Sequence, residues 1–208
     1  MIKKLFVFVI IFILFTVLNS CENDNQNESS SVPDNISGAV VISFDYEKQS
    51  GYASNQFAVW IEDTNGNYIK TLYATRFTAN GGYKNRPDSI PLWVEKSGLA
   101  FMQKSEVDAI AGATPKAGTL SYIWDLTDVT DNIVSSGEYK FFVEGTLRWK
   151  NYVLYSGVVT IGSESATVTA DAEYIYETSD KYDALTSESP ENAMITSVAA
   201  SFMPTVND

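Results

Sequence analysis

The sequence predicts an all-β protein: an antiparallel immunoglobulin-like β-sandwich of about eight or nine short strands with long irregular inserts. Three observations lead there. Apolar and polar residues alternate with period two in run after run, turn-forming residues separate the runs, and no segment shows a convincing amphipathic helical period. The 12 tyrosines and 11 phenylalanines suit a half-buried pleated surface better than a helix.

At the amino end, Lys3 and Lys4 precede an almost unbroken apolar run from Leu5 to Leu18 that closes on Asn19, Ser20 and Cys21. That order of parts is a secretory signal peptide over residues 1–20. The apolar run is shorter than the roughly 18–20 residues of a spanning helix. Residues 21–37 hold no aromatic residue and few aliphatic ones, so they cannot repay ordering by burial; a polar, acidic tether is expected. Residues 38–208 then form a single β-sandwich domain, large enough to bury roughly two-thirds of its surface.

Within that domain, Val40, Ile42, Phe44 and Tyr46 alternate with Val41, Ser43 and Asp45, which is a strand. Phe57, Val59 and Ile61 alternate with Ala58, Trp60 and Glu62 in a second, and Asn65-Gly66 joins it to a third, Tyr68 to Ala74. Asp63, Asn65 and Asn67 offer oxygen ligands, but the spacing lacks the glycine position and terminal Glu of a calcium loop; a plain turn is expected. Residues 75–89 are irregular, and residues 91–101 read as either a helical turn or an irregular strand. Strands resume at Thr119 to Leu126, at Gly137 to Glu144, at Tyr152 to Ile161, at Ala166 to Glu177 and at Ala193 to Phe202.

Composition excludes several chemistries. There is no histidine, so Ser-His-Asp and Cys-His catalysis and ordinary His/Cys zinc sites are absent, and Cys21 is the only cysteine, so no internal disulfide forms. No phosphate-loop or dinucleotide fingerprint occurs. Paired carboxylates for glycoside hydrolysis stay open, with Glu62, Asp63, Asp125 and Glu144 among many candidates. The balance therefore tilts away from an enzyme, and no catalytic residue is assigned. With 14 basic against 26 acidic residues the chain repels nucleic acid. Against that background Arg76, Lys84 and Arg86 cluster on one loop, where they either contact an anion or pair with the acidic surface. Trp60, Trp93 and Trp149 would serve as stacking platforms if the domain were a carbohydrate-binding module.

Four resemblances add expectations. Leu18-Asn19-Ser20-Cys21 resembles the lipobox of bacterial lipoproteins, which implies cleavage before Cys21, acylation of its thiol and amine, and a location in the bacterial cell envelope, periplasmic or surface-facing. The run Phe57 to Asp63, the Asn65-Gly66 turn, Thr71-Leu72-Tyr73, the loop with Arg76, Asp108 to Pro115 and Ser136 to Tyr139 resemble a bacterial family of predicted periplasmic proteins of unknown function, over about residues 38–162. That resemblance implies an association with membrane flavin and flavin-transferase systems, and so with envelope redox partners. The later hairpin resembles the immunoglobulin-like domain of flagellar hook-capping proteins.

Asp108-Ala109-Ile110-Ala111-Gly112-Ala113-Thr114 resembles the flavinylation motif of extracytoplasmic flavin carriers, with Ala111 where those carriers place Ser or Thr and Pro115 following. The resemblance implies FMN joined through its phosphate to Thr114, an unobstructed approach past Gly112 and Ala113, and an Asp108 carboxylate accepting backbone N–H groups in the turn. The alternative is a tight loop between two strands, with Gly112 supplying positive φ. The sequence thus predicts a lipid-anchored extracytoplasmic module with a binding or accessory role. A covalent FMN carrier and a carbohydrate-binding module are the alternatives.

Overall fold

The first strand, β1 (Gly38–Tyr46), turns Val40, Ile42, Phe44 and Tyr46 wholly inward, as its alternation predicts. It lies inside a four-stranded sheet of order β5-β1-β10-β8, between β5 (Gly118–Trp124) and β10 (Ile195–Pro204), with β8 (Ala166–Thr169) on the far side of β10. The second sheet has six strands in the order β4-β3-β2-β6-β7-β9. They are β2 (Phe57–Asp63), β3 (Tyr68–Thr75), β4 (Ala111–Gly112), β6 (Gly137–Thr146), β7 (Tyr152–Ile161) and β9 (Asp171–Ile175). This computed structural model describes residues 37–48, 55–146, 152–175 and 194–205; the signal peptide, Cys21, nearly all of the tether, and Trp149 lie outside the described residues.

The two sheets close face to face into an all-β sandwich. Phe57, Val59 and Ile61 of β2, Phe141 and Val143 of β6, and Val153 and Val159 of β7 meet Ile42 and Phe44 of β1, Trp124 of β5 and Phe202 of β10 in the main core. Among the described residues all strand pairings are antiparallel but one, the short β3–β4 pair, which runs parallel.

Ala166 to Glu177 reads in the sequence as one strand, and the structure divides it. β8 pairs with β10 in the four-stranded sheet, β9 pairs with β7 in the six-stranded one, and Ala170 between them donates its N–H to the Val198 carbonyl. The chain changes sheets at that residue.

The Asn65-Gly66 turn is present, with positive φ at Gly66 alone (φ 84°). Asp63 Oδ1 accepts the backbone N–H groups of Asn65 and Asn67, each at 2.8 Å, and Oδ2 accepts the Asn67 side-chain amide at 2.7 Å. The Asn67 side-chain bond, with the backbone bonds beside it, holds the Asp63 carboxyl below its usual range. The carboxylate is thus engaged by its own turn, and among the described residues no three acidic or sulfur ligands converge on a metal position.

The irregular insert folds into a cap. It contains α1 (Arg76–Ala79), α2 (Pro91–Lys96) and α3 (Lys104–Ile110), with single 3₁₀ turns at Gly82–Lys84 and Leu99–Phe101. Residues 91–101, ambiguous in the sequence, are therefore helical. The cap covers the outer face of the six-stranded sheet and builds a second core, in which Trp93, Ile90, Leu99 and Ala79 pack on Ala58, Trp60 and Ala74. Trp60 also stacks on Phe142 at 4.9 Å between ring centroids. Strand β2 is consequently buried on both faces. Among the described residues no helix is long and apolar enough to cross a membrane.

Two buried glutamate carboxyl groups seat α2 on the sheet. Ile90, its N-terminal neighbour, has left-handed backbone geometry (φ 48°) and no side chain able to cap, and Pro91 follows it. Glu144 of β6 supplies the cap from across the interface: its oxygens accept the N–H of Leu92 at 3.2 Å and of Trp93 at 2.8 Å. At the other end Lys96 reaches Glu62 Oε2 at 3.3 Å, while Glu62 Oε1 accepts the Trp60 indole N–H at 2.9 Å.

Candidate functional site

The candidate site is built outward from Tyr73. This residue stands near the end of β3, its ring stacked on Phe57 at 5.1 Å and tilted against Tyr122 at 4.8 Å, both within the main core. Its hydroxyl donates to the carbonyl of Ala113 at 2.6 Å. Burial raises the Tyr73 phenol above its ordinary value, and the charge of nearby Arg76 opposes that rise.

Strand β4 lies along the outer edge of β3, pairing Ala111 with Ala74 and Gly112 with Thr75. Because the pair runs parallel, Ala113 and Thr114 leave β4 at the end of the sheet where Arg76 leaves β3 to open α1. A Cβ at Gly112 would sit 2.1 Å from Tyr73 Cε2, so only glycine admits the ring at this point. A tight loop would use Gly112 for positive φ; Gly112 is instead an extended strand residue, and the reason for glycine is close approach. Nor is the stretch simply a loop. Asp108 to Ile110 end α3, and only after β4 does irregular chain run to Gly118.

Asp108 is corrected in the same way. Its carboxylate accepts Lys104 Nζ at 2.8 Å, one helical turn earlier, and no backbone N–H bond to it is present. Ala113 and Thr114 are both exposed, and the Thr114 hydroxyl makes no side-chain hydrogen bond within the described residues.

Arg76 and Lys84 are exposed and Arg86 is half-buried. Among the described residues none of the three forms an ion pair, so pairing with the acidic surface does not account for them. Lys84 and Asp108 line one groove of about 400 Å³, whose wall includes Tyr83 and whose floor includes Leu99, Met102 and Val107. Arg76 stands apart from that groove, beside Tyr73 and the β4 end. The basic loop is thereby split between two places.

The carboxylate candidates do not assemble into a catalytic pair. Glu144 faces Ala58 across the β2–β6 ladder and Glu62 lies four residues further along β2, a separation of roughly 13 Å at strand rise. Both groups are buried and committed to α2, Glu144 at its start and Glu62 through Lys96 at its end. Asp63 and Asp125 are occupied in turns, Asp125 accepting Thr127 and Lys70. Trp60 and Trp93, offered as stacking platforms, are fully buried; the Trp93 indole donates to Thr71 Oγ1 at 2.8 Å.

A family model described as predicted periplasmic protein (DUF2271) matches residues 38–190, most of the chain. The chain belongs to this family of unknown function. The match extends beyond the stretch over which the sequence shows its resemblance, taking in β1 to β9 and the whole cap. No curated protein and no solved structure matches. The family description places the domain in the periplasm, in keeping with an envelope address. Tyr73, Glu62 and Glu144 are the residues whose roles the sequence reading missed. Tyr73 could have been found only from the Gly112 contact, because its alternation marks it as an ordinary strand aromatic.

Proposed function

We propose that this domain is a lipid-anchored extracytoplasmic module with an accessory binding role in an envelope flavin-linked redox system, and that its working edge is the end of β4. The observation that carries the reading is the placement of Thr114: exposed, one residue beyond a carbonyl bonded to a core tyrosine, and at the sheet end where Arg76 projects. A rigidly presented hydroxyl beside a cation suits contact with an anionic group. The anchoring half is supported by Leu18-Asn19-Ser20-Cys21 and by the periplasmic description of the family. It is tested by fractionation: a Cys21→Ala chain is expected to leave the membrane in a high-salt wash, and complete retention would overturn the anchor.

A second reading, a covalent FMN carrier, is favoured by the same exposure of Thr114. The residues present fit such a group in two respects. The hydroxyl is accessible to a transferase, and the Arg76 guanidinium lies on the side where a phosphate diester would carry its charge. Once attached, a flavin would take up and release electrons. Ala111, where carriers place Ser or Thr, is here a strand residue paired with Ala74, so the departure from the motif has a structural use. Intact mass of the chain from its native envelope, with the transferase present, decides the matter. The added mass of FMN less water, lost in Thr114→Val, is expected; an unmodified mass would exclude the carrier.

A further inference from the structure

The cap over the outer sheet face differs in charge from the rest of the chain. Residues 76–116 carry Arg76, Lys84, Arg86, Lys96, Lys104 and Lys116 against Asp88, Glu95, Glu106 and Asp108, whereas the whole chain has a formal charge of −12. The cap also bears the most exposed aromatic side chain of the described residues: Phe101 is 90% exposed, and Phe77 is 45% exposed. Phe101 closes the 3₁₀ turn whose first residue, Leu99, is buried, so the turn points one apolar side chain into the second core and another outward.

The surroundings of Phe101 are consistent. Its neighbours Ala100 and Met102 line the same groove as Lys84 and Lys104, and the Phe77 ring lies against Gly82, on the turn that ends in Lys84. At 90% exposure Phe101 gains almost nothing from burial in the folded chain, and its apolar area is available to be removed from water on contact with another surface. Exposed aromatic residues flanked by lysines are a contact that proteins make with anionic lipid.

We infer that the face of the cap bearing Phe101 docks on an anionic phospholipid surface, with Phe101 entering the headgroup layer and Lys84 and Lys104 facing lipid phosphates. Lys104 also bonds Asp108, so Lys84 is the stronger electrostatic contributor. The strongly acidic remainder of the chain is repelled by the same surface, and the two effects together orient the domain cap-first. The inference rests on the proposed Cys21 anchor for proximity. The 17 residues from Cys21 to Ser37 could span at most roughly 60 Å, enough for the cap to face the membrane.

The test uses the full lipidated chain in vesicles of phosphatidylcholine, with and without phosphatidylglycerol. An environment-sensitive dye is placed at Phe101→Cys, and a control dye at Ser121→Cys on the exposed face of β5. Acylation leaves Cys21 without a free thiol, and the unsubstituted chain reports any background labelling. Iodide quenching at position 101 is expected to fall several-fold on the anionic vesicles only, to return in Lys84→Gln/Lys104→Gln or in high salt, and to stay unchanged at position 121. Equal quenching at 101 in both lipids, or equal protection at 101 and 121, overturns the inference. So does protection at 101 found only in native membranes and not in protein-free vesicles, which assigns the surface to a protein partner. Failure of the anchor reads differently: the chain then floats free of the vesicles after washing, whatever the state of position 101.

Discussion

At Gly112 a single methyl group is enough to disturb the candidate site. The added Cβ would overlap the Tyr73 ring at 2.1 Å and the hydroxyl at 2.9 Å, so the ring must move and its bond to the Ala113 carbonyl must break. Gly112→Ala is expected to cost about 1–3 kcal/mol, read as a lower urea midpoint. Tyr73→Phe keeps the ring and removes only the donor, so about 1 kcal/mol is expected, with unchanged packing against Phe57 and Tyr122. A larger loss in the second variant than in the first would contradict this account. Little of this was legible beforehand. Asp108 to Thr114 stands out in the sequence for its small residues, but the cause of the smallness is a ring 39 positions earlier than Gly112, and no local pattern reports such a contact.

Helix α2, with six residues and an N-terminal neighbour that cannot cap it, depends on the sheet for both its ends. Burial pushes the Glu144 carboxyl up to about 8 from an ordinary 4.5, against the lowering pull of the Trp93 and Leu92 N–H groups. The folded state therefore holds a proton that the unfolded chain releases between those two values. Stability from this group is greatest below pH 4.5, declines as pH rises through the window, and is level above about 8. Asp63, Asp125 and Asp128 are shifted the other way, below 3.8, so they act in more acidic solution and leave this window clear. Denaturation at pH 5 and pH 8 is expected to show the loss in the native chain and a smaller one in Glu144→Gln. At the other end, Lys96→Met leaves Glu62 with the Trp60 indole alone and is expected to cost about 1 kcal/mol, discounted because the lysine is partly exposed.

The alternation of β6 put Glu144 on the polar side of its strand correctly, opposite Phe141 and Val143. What it could not convey is that this side is roofed. The three helices that cover it are each two turns or shorter, too brief to print an amphipathic period, and their apolar residues read as irregular insert. Strands of seven residues or more, β1, β2, β3, β5, β6, β7 and β10, were legible because one of their faces meets the sandwich core.

For the molecule as a whole, the sandwich and the cap share β2, yet they differ in what holds them. The sandwich has long ladders and a core spanning both sheets, whereas the cap has short helices and a smaller cluster. Native-state hydrogen exchange is expected to show α3 amides opening at lower free energy than those of β2, β6 and β10. Uniform protection across all four would show that the cap unfolds only with the sandwich. The position of β10 has a practical consequence for where this domain ends. The family match stops at residue 190, yet β10 begins at Ile195 and lies between β1 and β8, not at a margin. It contributes Ile195, Val198, Ala200 and Phe202 to the main core. A fragment cut to the boundaries of sequence similarity would lose the middle of one sheet and bare two strand edges toward each other, inviting association with further copies. The unit that evolution makes recognisable is shorter than the unit that physics can close.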